Sequence, residues 1–190
     1  MNNGTKSQYQ IVISGVGGQG VLFVTRLLAE AAIQMQLPVF TSETHGMAQR
    51  GGTVVSHLKV GDFASPLIRP GEADGLIALK AEGMEQHGGY LKSMGWAAVN
   101  SKAALEQFPT RFTAQMDADQ MARDIKDPKS MNLIMLGFTL SRYFADQIGR
   151  KPLFCAQDDI LKAIRIRLNK KADVLKAATA ALEAGASFTP

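Results

Sequence analysis

Four glycines follow directly on a short β-branched run: Ile11-Val12-Ile13-Ser14-Gly15-Val16-Gly17-Gly18-Gln19-Gly20. An apolar, helix-like segment, VLFVTRLLAEAAIQM, comes next. Strand, glycine turn and helix in this order open a βαβ unit, which points to a parallel sheet flanked by helices. Gly15 is expected to turn the chain off the strand. Gly17 and Gly18 carry no Cβ, so another group can approach the backbone closely. Gly20 is expected to let the helix pack close to the sheet. The first N–H groups of a helix lack intrahelical acceptors and carry partial positive charge, so an anion is favoured there.

The spacing Gly15-x-Gly17-x-x-Gly20 fits the dinucleotide-binding fingerprint. That pattern requires an acidic residue about 20 residues further on, at the end of a second strand. LPVFTSE ends in Glu43. Two readings follow, a ligand loop or a turn that needs glycine only to pack.

A chain of 190 residues with 46% apolar and 20% charged residues is a single globular domain with a real core. Residues 1–9 read as a flexible tail and 10–190 as the domain. The opening MNNGTKSQYQ has no apolar h-region, and no apolar stretch reaches about 18 residues without a charge, so a cytoplasmic protein without a membrane span is expected. The single cysteine, Cys155, excludes an intrachain disulfide and a four-cysteine iron–sulfur cluster held by this chain alone. The net charge of +4 is dispersed, and no nucleic-acid module accompanies it.

The pattern predicts strands at Tyr9–Ser14, Val39–Ser42, Thr53–Gly61, Asp74–Leu79, Trp96–Asn100 and Phe112–Met116. Helices are predicted from Gly20 to Gln36, Glu82 to Ser93, Asp117 to Ile125, Ser130 to Ile148, Asp158 to Asn169 and Ala172 to Ala184. Gly88 and Gly89 weaken the second, and Gly149 with Pro152 ends the fourth. The third strand alternates, which suits a half-buried strand near an edge. Alternating strands and helices give an α/β fold, a Rossmann-like three-layer sandwich with a mostly parallel sheet and C-terminal helices. Ligands of such sheets bind beyond the carboxyl ends of the strands. The glycine loop and the polar loop Glu43–Gly52 should therefore be neighbours.

That second loop, Glu43-Thr44-His45-Gly46-Met47-Ala48-Gln49-Arg50-Gly51-Gly52, is dense in hydrogen-bonding groups. Arg50 can hold a carboxylate or phosphate bidentately. Glu43 and His45 form a candidate acid–base pair, or Glu43 simply pairs with Arg50. His57 reads as a sheet histidine, His87 as a solvated loop residue, Cys155 as apolar filling, and Met131 with Met135 as core. No metal site and no catalytic triad emerge.

GVGGQG followed by SETHGMAQRGG resembles the gamma-type subunit of the 2-oxoacid:ferredoxin oxidoreductases. The form HGMAQRGG is closest to the small subunit of the indolepyruvate enzymes, and ADGLIAL and MNLIMLG support the likeness. The C-terminal third matches less well. The resemblance implies a gamma-type catalytic domain in an enzyme that decarboxylates a 2-oxoacid on thiamine diphosphate, forms an acyl-CoA and sends electrons through iron–sulfur clusters to ferredoxin. The thiamine motif is missing here, so thiamine diphosphate and the clusters are expected on a large partner subunit, with coenzyme A in the full complex. By the same resemblance, Gly15, Gly17, Gly18, Gln19, Gly20, Glu43, His45, Gly46, Met47, Gln49, Arg50, Gly51 and Gly52 form the cofactor-binding or subunit-interface surface. Arg50 is assigned the anion or interface role, His45 and Gln49 hydrogen bonds across the interface, and no residue a catalytic role. The isolated chain is expected to self-associate. The alternative is a free-standing NAD(P)- or nucleotide-binding enzyme, or a scaffold module that keeps the fold without a partner.

Overall fold

The apolar β-branched runs pair into one six-stranded sheet of order β2-β3-β1-β4-β5-β6. In the computed structural model, which describes residues 8–45, 52–104 and 112–190, the strands are β1 (Tyr9–Val16), β2 (Val39–His45), β3 (Thr53–Val60), β4 (Ala73–Ala78), β5 (Leu91–Asn100) and β6 (Phe112–Met116). The helices are α1 (Val21–Gln34), α2 (Glu82–His87), α3 (Ala118–Asp124), α4 (Met131–Leu140), α5 (Arg142–Ile148), α6 (Gln157–Leu168) and α7 (Ala172–Ala186). The expected tail lies outside the described residues up to residue 7, and Tyr9 already belongs to β1. Among the described residues no helix is long and apolar enough to cross a membrane.

All strands except β3 run parallel. β2 and β3 are joined by a stretch too short for a helical crossover, so β3 must return antiparallel. It does so between β2 and β1: Glu43 pairs with Ser56, and Ser56 with Ile13. β3 is therefore interior and buried on both faces, not half-buried near an edge. The segment after it folds back over the face expected to be solvated. There the Ile68 N–H donates to His57 Nδ1 at 2.9 Å, and Lys59 Nζ sits 4.9 Å from the Phe63 ring centroid. Those contacts are what allow histidine and lysine inside a strand buried on both sides.

One sheet face, with Val12, Leu76, Ala78, Ala97 and Val99, packs on Met84 of α2 and on Ile68. The other, with Ile11, Ile13, Leu58, Ile77 and Ala98, carries α1 and α4. α6 packs over α1 and α7 over α4, so the C-terminal helices form an outer layer that does not rest on the sheet.

Several element boundaries differ from the sequence pattern. β1 and β2 run on to Val16 and His45, past the predicted ends at Ser14 and Ser42, so Glu43, Thr44 and His45 belong to a strand and not to the loop. Two further differences concern helices. β5 starts at Leu91, because α2 ends in a 3-10 turn at Gly88–Tyr90, where the pattern extends a helix to Ser93. The predicted helix Ser130–Ile148 is two helices. Ser141 adopts an extended conformation, and its hydroxyl accepts the Phe144 N–H at 3.0 Å, capping α5. Elsewhere the end signals hold. Asp117 accepts the Gln120 N–H at 2.8 Å, and Gly149 closes α5 with a left-handed φ of 67°.

α4 and α7 cross at two facing glycines. A Cβ on Gly137 would overlap the Leu182 carbonyl, and one on Gly185 would overlap the Ile134 carbonyl. Overpacking of this kind costs about 1–3 kcal/mol. Gly137→Ala is therefore expected to lower the thermal midpoint by several degrees, at about 2–4 °C per kcal/mol for a chain of this size. Gly89→Ala, where a Cβ meets nothing within 4 Å, is the control and should leave the midpoint unchanged.

Candidate functional site

Because β1, β2, β4, β5 and β6 are parallel, their carboxyl ends share one side of the molecule. The glycine loop sits at its centre. Gly15 is still inside β1, so the turn expected there comes later, at Gly18 (φ 93°) and Gly20 (φ 83°). Gly15 is needed for space instead, since a Cβ would press on Gln19 Oε1 and Val21 at 2.9 Å. The Gln19 N–H donates to the Val16 carbonyl at 3.1 Å. Its side chain turns inward, accepting from the Val16 N–H at 2.9 Å and donating to the Leu79 carbonyl at 3.4 Å. Gln19 thus ties the loop to the end of β4. Gly20, in the left-handed conformation, is the residue before α1, and a Cβ on it would overlap Asn132 of α4. Its close approach is to a helix and not, as its place in the sequence pattern had it, to the sheet.

The second loop meets the first. The Gly17 N–H donates to the Gly52 carbonyl at 3.1 Å, and Thr53 Oγ1 donates to Gln86 Oε1 of α2 at 2.9 Å. His45 ends β2 opposite Val54, which itself pairs with Gly15. Gly46, Met47, Gln49, Arg50 and Gly51 lie outside the described residues. Glu43 is separated from β1 by the whole of β3, two interstrand spacings or about 10 Å from Ile13. The dinucleotide pattern needs its acidic residue on the strand next to the glycine strand, and here that neighbour is β3.

α1 leaves β1 over one face of the sheet and α2 leaves β4 over the other, so β1 and β4 flank the switch point of the topology. A cleft of about 470 Å³ opens on the α1 side, between Gly18, Leu22, Phe23, Arg26 and Val54. A smaller one of about 200 Å³ lies on the α2 side, between Ser14, Thr53, Lys80 and Gly83. Lys80 pairs with Glu82 at 3.1 Å on its rim.

Two histidines support this end from below. His87 is half-buried, not solvated: its Nδ1 lies 2.8 Å from Ser14 Oγ, and its ring stacks on Tyr90 with centroids 6.2 Å apart. His57 meets the same Tyr90 edge-on at 5.1 Å. Its Nδ1 accepts from Ile68, so the neutral ring carries its proton on Nε2. Burial, then the neighbouring charges of His87 and Lys59, holds the His57 pKa below the usual 6.5. Burial also lowers that of His87, against a backbone hydrogen bond at Gly83. Cys155 is fully buried, and burial, helped by Asp159, pushes its thiol up to about 12, which makes it core filling. Among the described residues no group of His, Cys, Asp or Glu is placed to hold a metal. Sequence reasoning missed His87, Asn132 and Arg26 as part of this end. Only Asn132 carried a signal, as the Asn of MNLIMLG.

A family model described as pyruvate ferredoxin/flavodoxin oxidoreductase matches residues 10–188. The indolepyruvate oxidoreductase subunit IorB of Archaeoglobus fulgidus is 31% identical over 182 residues, covering 85% of this chain and 90% of that protein. The gamma subunit of keto/oxoacid ferredoxin oxidoreductase from Geobacter sulfurreducens superposes with a TM-score of 0.73 at 23% identity, over 94% of this chain and 96% of that one. The 2-oxoglutarate:ferredoxin oxidoreductase of Magnetococcus marinus, solved with 2-oxoglutarate, coenzyme A and succinyl-CoA bound, gives a TM-score of 0.72 at 19% identity. It covers 97% of this chain but 32% of that one.

The lowered histidine pKa values make stability pH-dependent. Below the ordinary value of 6.5 the unfolded chain binds more protons than the folded one, so stability is full above that pH and is lost as pH falls through the folded values. Urea midpoints measured from about pH 8 to about pH 5 should decline, and His87→Gln should make the decline shallower.

Proposed function

Because the chain belongs to the pyruvate ferredoxin/flavodoxin oxidoreductase family, we propose that it is the gamma-type subunit of a thiamine diphosphate-dependent 2-oxoacid:ferredoxin oxidoreductase, with an aryl pyruvate such as indolepyruvate as substrate. The observation that carries this reading is that a subunit of an indolepyruvate oxidoreductase is matched over 90% of its length. Thiamine diphosphate supplies the carbanion chemistry and iron–sulfur clusters the electron path. The residues of this chain do not fit a cluster, since the single cysteine is buried with its thiol held protonated. Those groups belong to a large partner subunit, and coenzyme A to the assembled enzyme.

The work of this chain is then to complete a site that it does not own. The glycine loop, the junction at Gly52 and the second loop with His45, Gln49 and Arg50 form the surface that meets the partner and shields the reacting centre from water. The hydrogen bond from Gly17 to Gly52 supports this, because it makes the two loops one surface. Residues 10–190 act as a single domain in this role, in the cytoplasm. Without its partner the chain self-associates through the surface it would otherwise cover. The nucleotide-enzyme alternative loses its ribose contact, since Glu43 lies across β3 from the glycine loop.

Anaerobic affinity purification of the chain from its own host should bring down a large subunit carrying thiamine diphosphate and iron–sulfur clusters. The complex should reduce a viologen dye fastest with indolepyruvate among the 2-oxoacids tried. A chain recovered alone and loaded with a nucleotide would overturn the reading.

A further inference from the structure

We infer that the outer edge of β2 pairs with the same edge of a second copy of this chain, joining two sheets into one across a two-fold axis at Phe40. β2 ends the sheet on one side, with β3 as its neighbour. The Gly61 N–H donates to the Pro38 carbonyl at 2.8 Å, and these two residues continue the register of β2 on β3. Hydrogen-bonded and non-hydrogen-bonded pairs alternate along an antiparallel ladder. Phe40 and Ser42 therefore bond to β3, and Val39 and Thr41 turn their N–H and C=O groups outward. Among the described residues none of these four groups has a partner. Natural sheet edges are blunted by lysine, proline, a bulge or a cover. β2 contains no lysine, arginine or proline, and its register with β3 is unbroken from Val39 to His45.

The surroundings of this edge are apolar on both faces of the sheet. Phe40 stands opposite Lys59, on the face that carries His57, and is 40% exposed. On the other face, Ile33 and Met35 are exposed where α1 leads into β2. A second copy fits because the strand is complementary to itself. In an antiparallel pair about Phe40, Val39 of one copy and Thr41 of the other exchange both N–H···O bonds, and the two-fold repeats the exchange. The outward groups of both strands are then used. The two Phe40 residues face each other as a non-hydrogen-bonded pair, the closer of the two kinds, so their rings cover one another. An extended segment of another protein could use the same backbone groups, but only a second copy brings Phe40 to Phe40. The edge is seven residues long, about 23 Å. With α1 on one face of the sheet and the chain after β3 on the other, it is about 25 Å thick. The product, about 600 Å² per copy, reaches the lower bound for a stable interface. This pairing goes beyond the reading of the chain as a gamma-type subunit. It leaves the carboxyl ends of the strands open, so two copies can each meet a large subunit at once.

The full chain is measured by sedimentation velocity, alone and with its large subunit. Alone it should run as a pair of chains. Thr41→Pro removes an N–H that the chain's own ladder does not use, and proline is tolerated at such an edge position. It should raise the dimer Kd about a hundredfold. Val174→Lys, at an exposed apolar residue of α7, should leave it unchanged. Non-hydrogen-bonded partners stand about 4.5 Å apart at Cα, within reach of a disulfide. The native Cys155 is buried, so Phe40→Cys under oxidised glutathione should link two copies to each other, and Val174→Cys should not. Should Thr41→Pro fail to fold, the Phe40→Cys link decides. A chain that runs singly, a Kd unmoved by a folded Thr41→Pro, or a Phe40→Cys link no faster than that of Val174→Cys overturns the edge pairing. So does a Phe40→Cys link to the large subunit, which assigns the edge to an extended segment of that protein. A pair that persists with the large subunit bound supports the inference. One that the large subunit disperses belongs to the loop surface and overturns it. Edge pairing in a chain that meets no large subunit sinks the subunit reading alone.

Discussion

α4 is buried along nearly its whole length, from Met131 to Thr139, and the rest of the molecule is arranged to make that burial workable. A helix that is apolar all round needs cover on every side. The sheet supplies one side and α7 another, and α7 comes close enough only because Gly137 and Gly185 face each other at the crossing. The break at Ser141 belongs to the same solution. It turns the chain so that Phe144 of α5 can pack edge-on against Trp96 of β5 and against Phe138 of α4, with ring centroids 5.4 Å apart in each case. The start of α4 packs on the glycine loop. There Asn132 meets Gly20, so the position of the glycine loop is set by the core helix as much as by the strand that precedes it.

The β2–β3 hairpin shapes the other half of the site. Inserting β3 between β2 and β1 moves Glu43 away from the glycine loop and brings Gly52 and Thr53 to it. The carboxyl end of the sheet thereby gains a second loop beside the first and loses the acidic residue that a dinucleotide site would use. The hydrogen bonds Gly17 to Gly52 and Thr53 to Gln86 run across this end from α1 toward α2, while Gln19 closes the gap to β4. These hydrogen bonds join the two loops and the ends of β1 and β4 into one surface.

Much of this was legible in residue order. The runs at Ile11–Ile13, Leu76–Ala78 and Ala97–Val99 read as strands because both faces are buried, and β-branched or small apolar residues in short runs signal that directly. Asp117 and Gly149 announced their helix ends through side-chain and backbone chemistry that is local to a few residues. The pairing of glycine loop and polar loop was also readable, because parallel strands place their following loops on one side. Three features were not legible, for one reason. His87 looked like a loop residue beside two glycines, Ser130–Ile148 looked like one helix, and β3 looked half-solvated. Each depends on what comes from far along the chain to cover it: Ser14 and Tyr90 for His87, Trp96 for the turn at Ser141, Ile68 and Phe63 for β3.

By itself, then, the sequence determined the α/β class, the βαβ opening, the order of most elements and the family likeness carried by two loops. These rest on periodicity, turn chemistry and local motif, which act over neighbouring residues. Only the tertiary structure decided which strand lies beside β1, and with it that Glu43 is remote from the glycine loop. It alone decided that Gln19 is a tie within the fold and that Asn132, more than a hundred positions away, stands at the start of α1. Strand order and helix crossing are set by which buried surfaces fit together across the whole chain, and no window of adjacent residues contains that information.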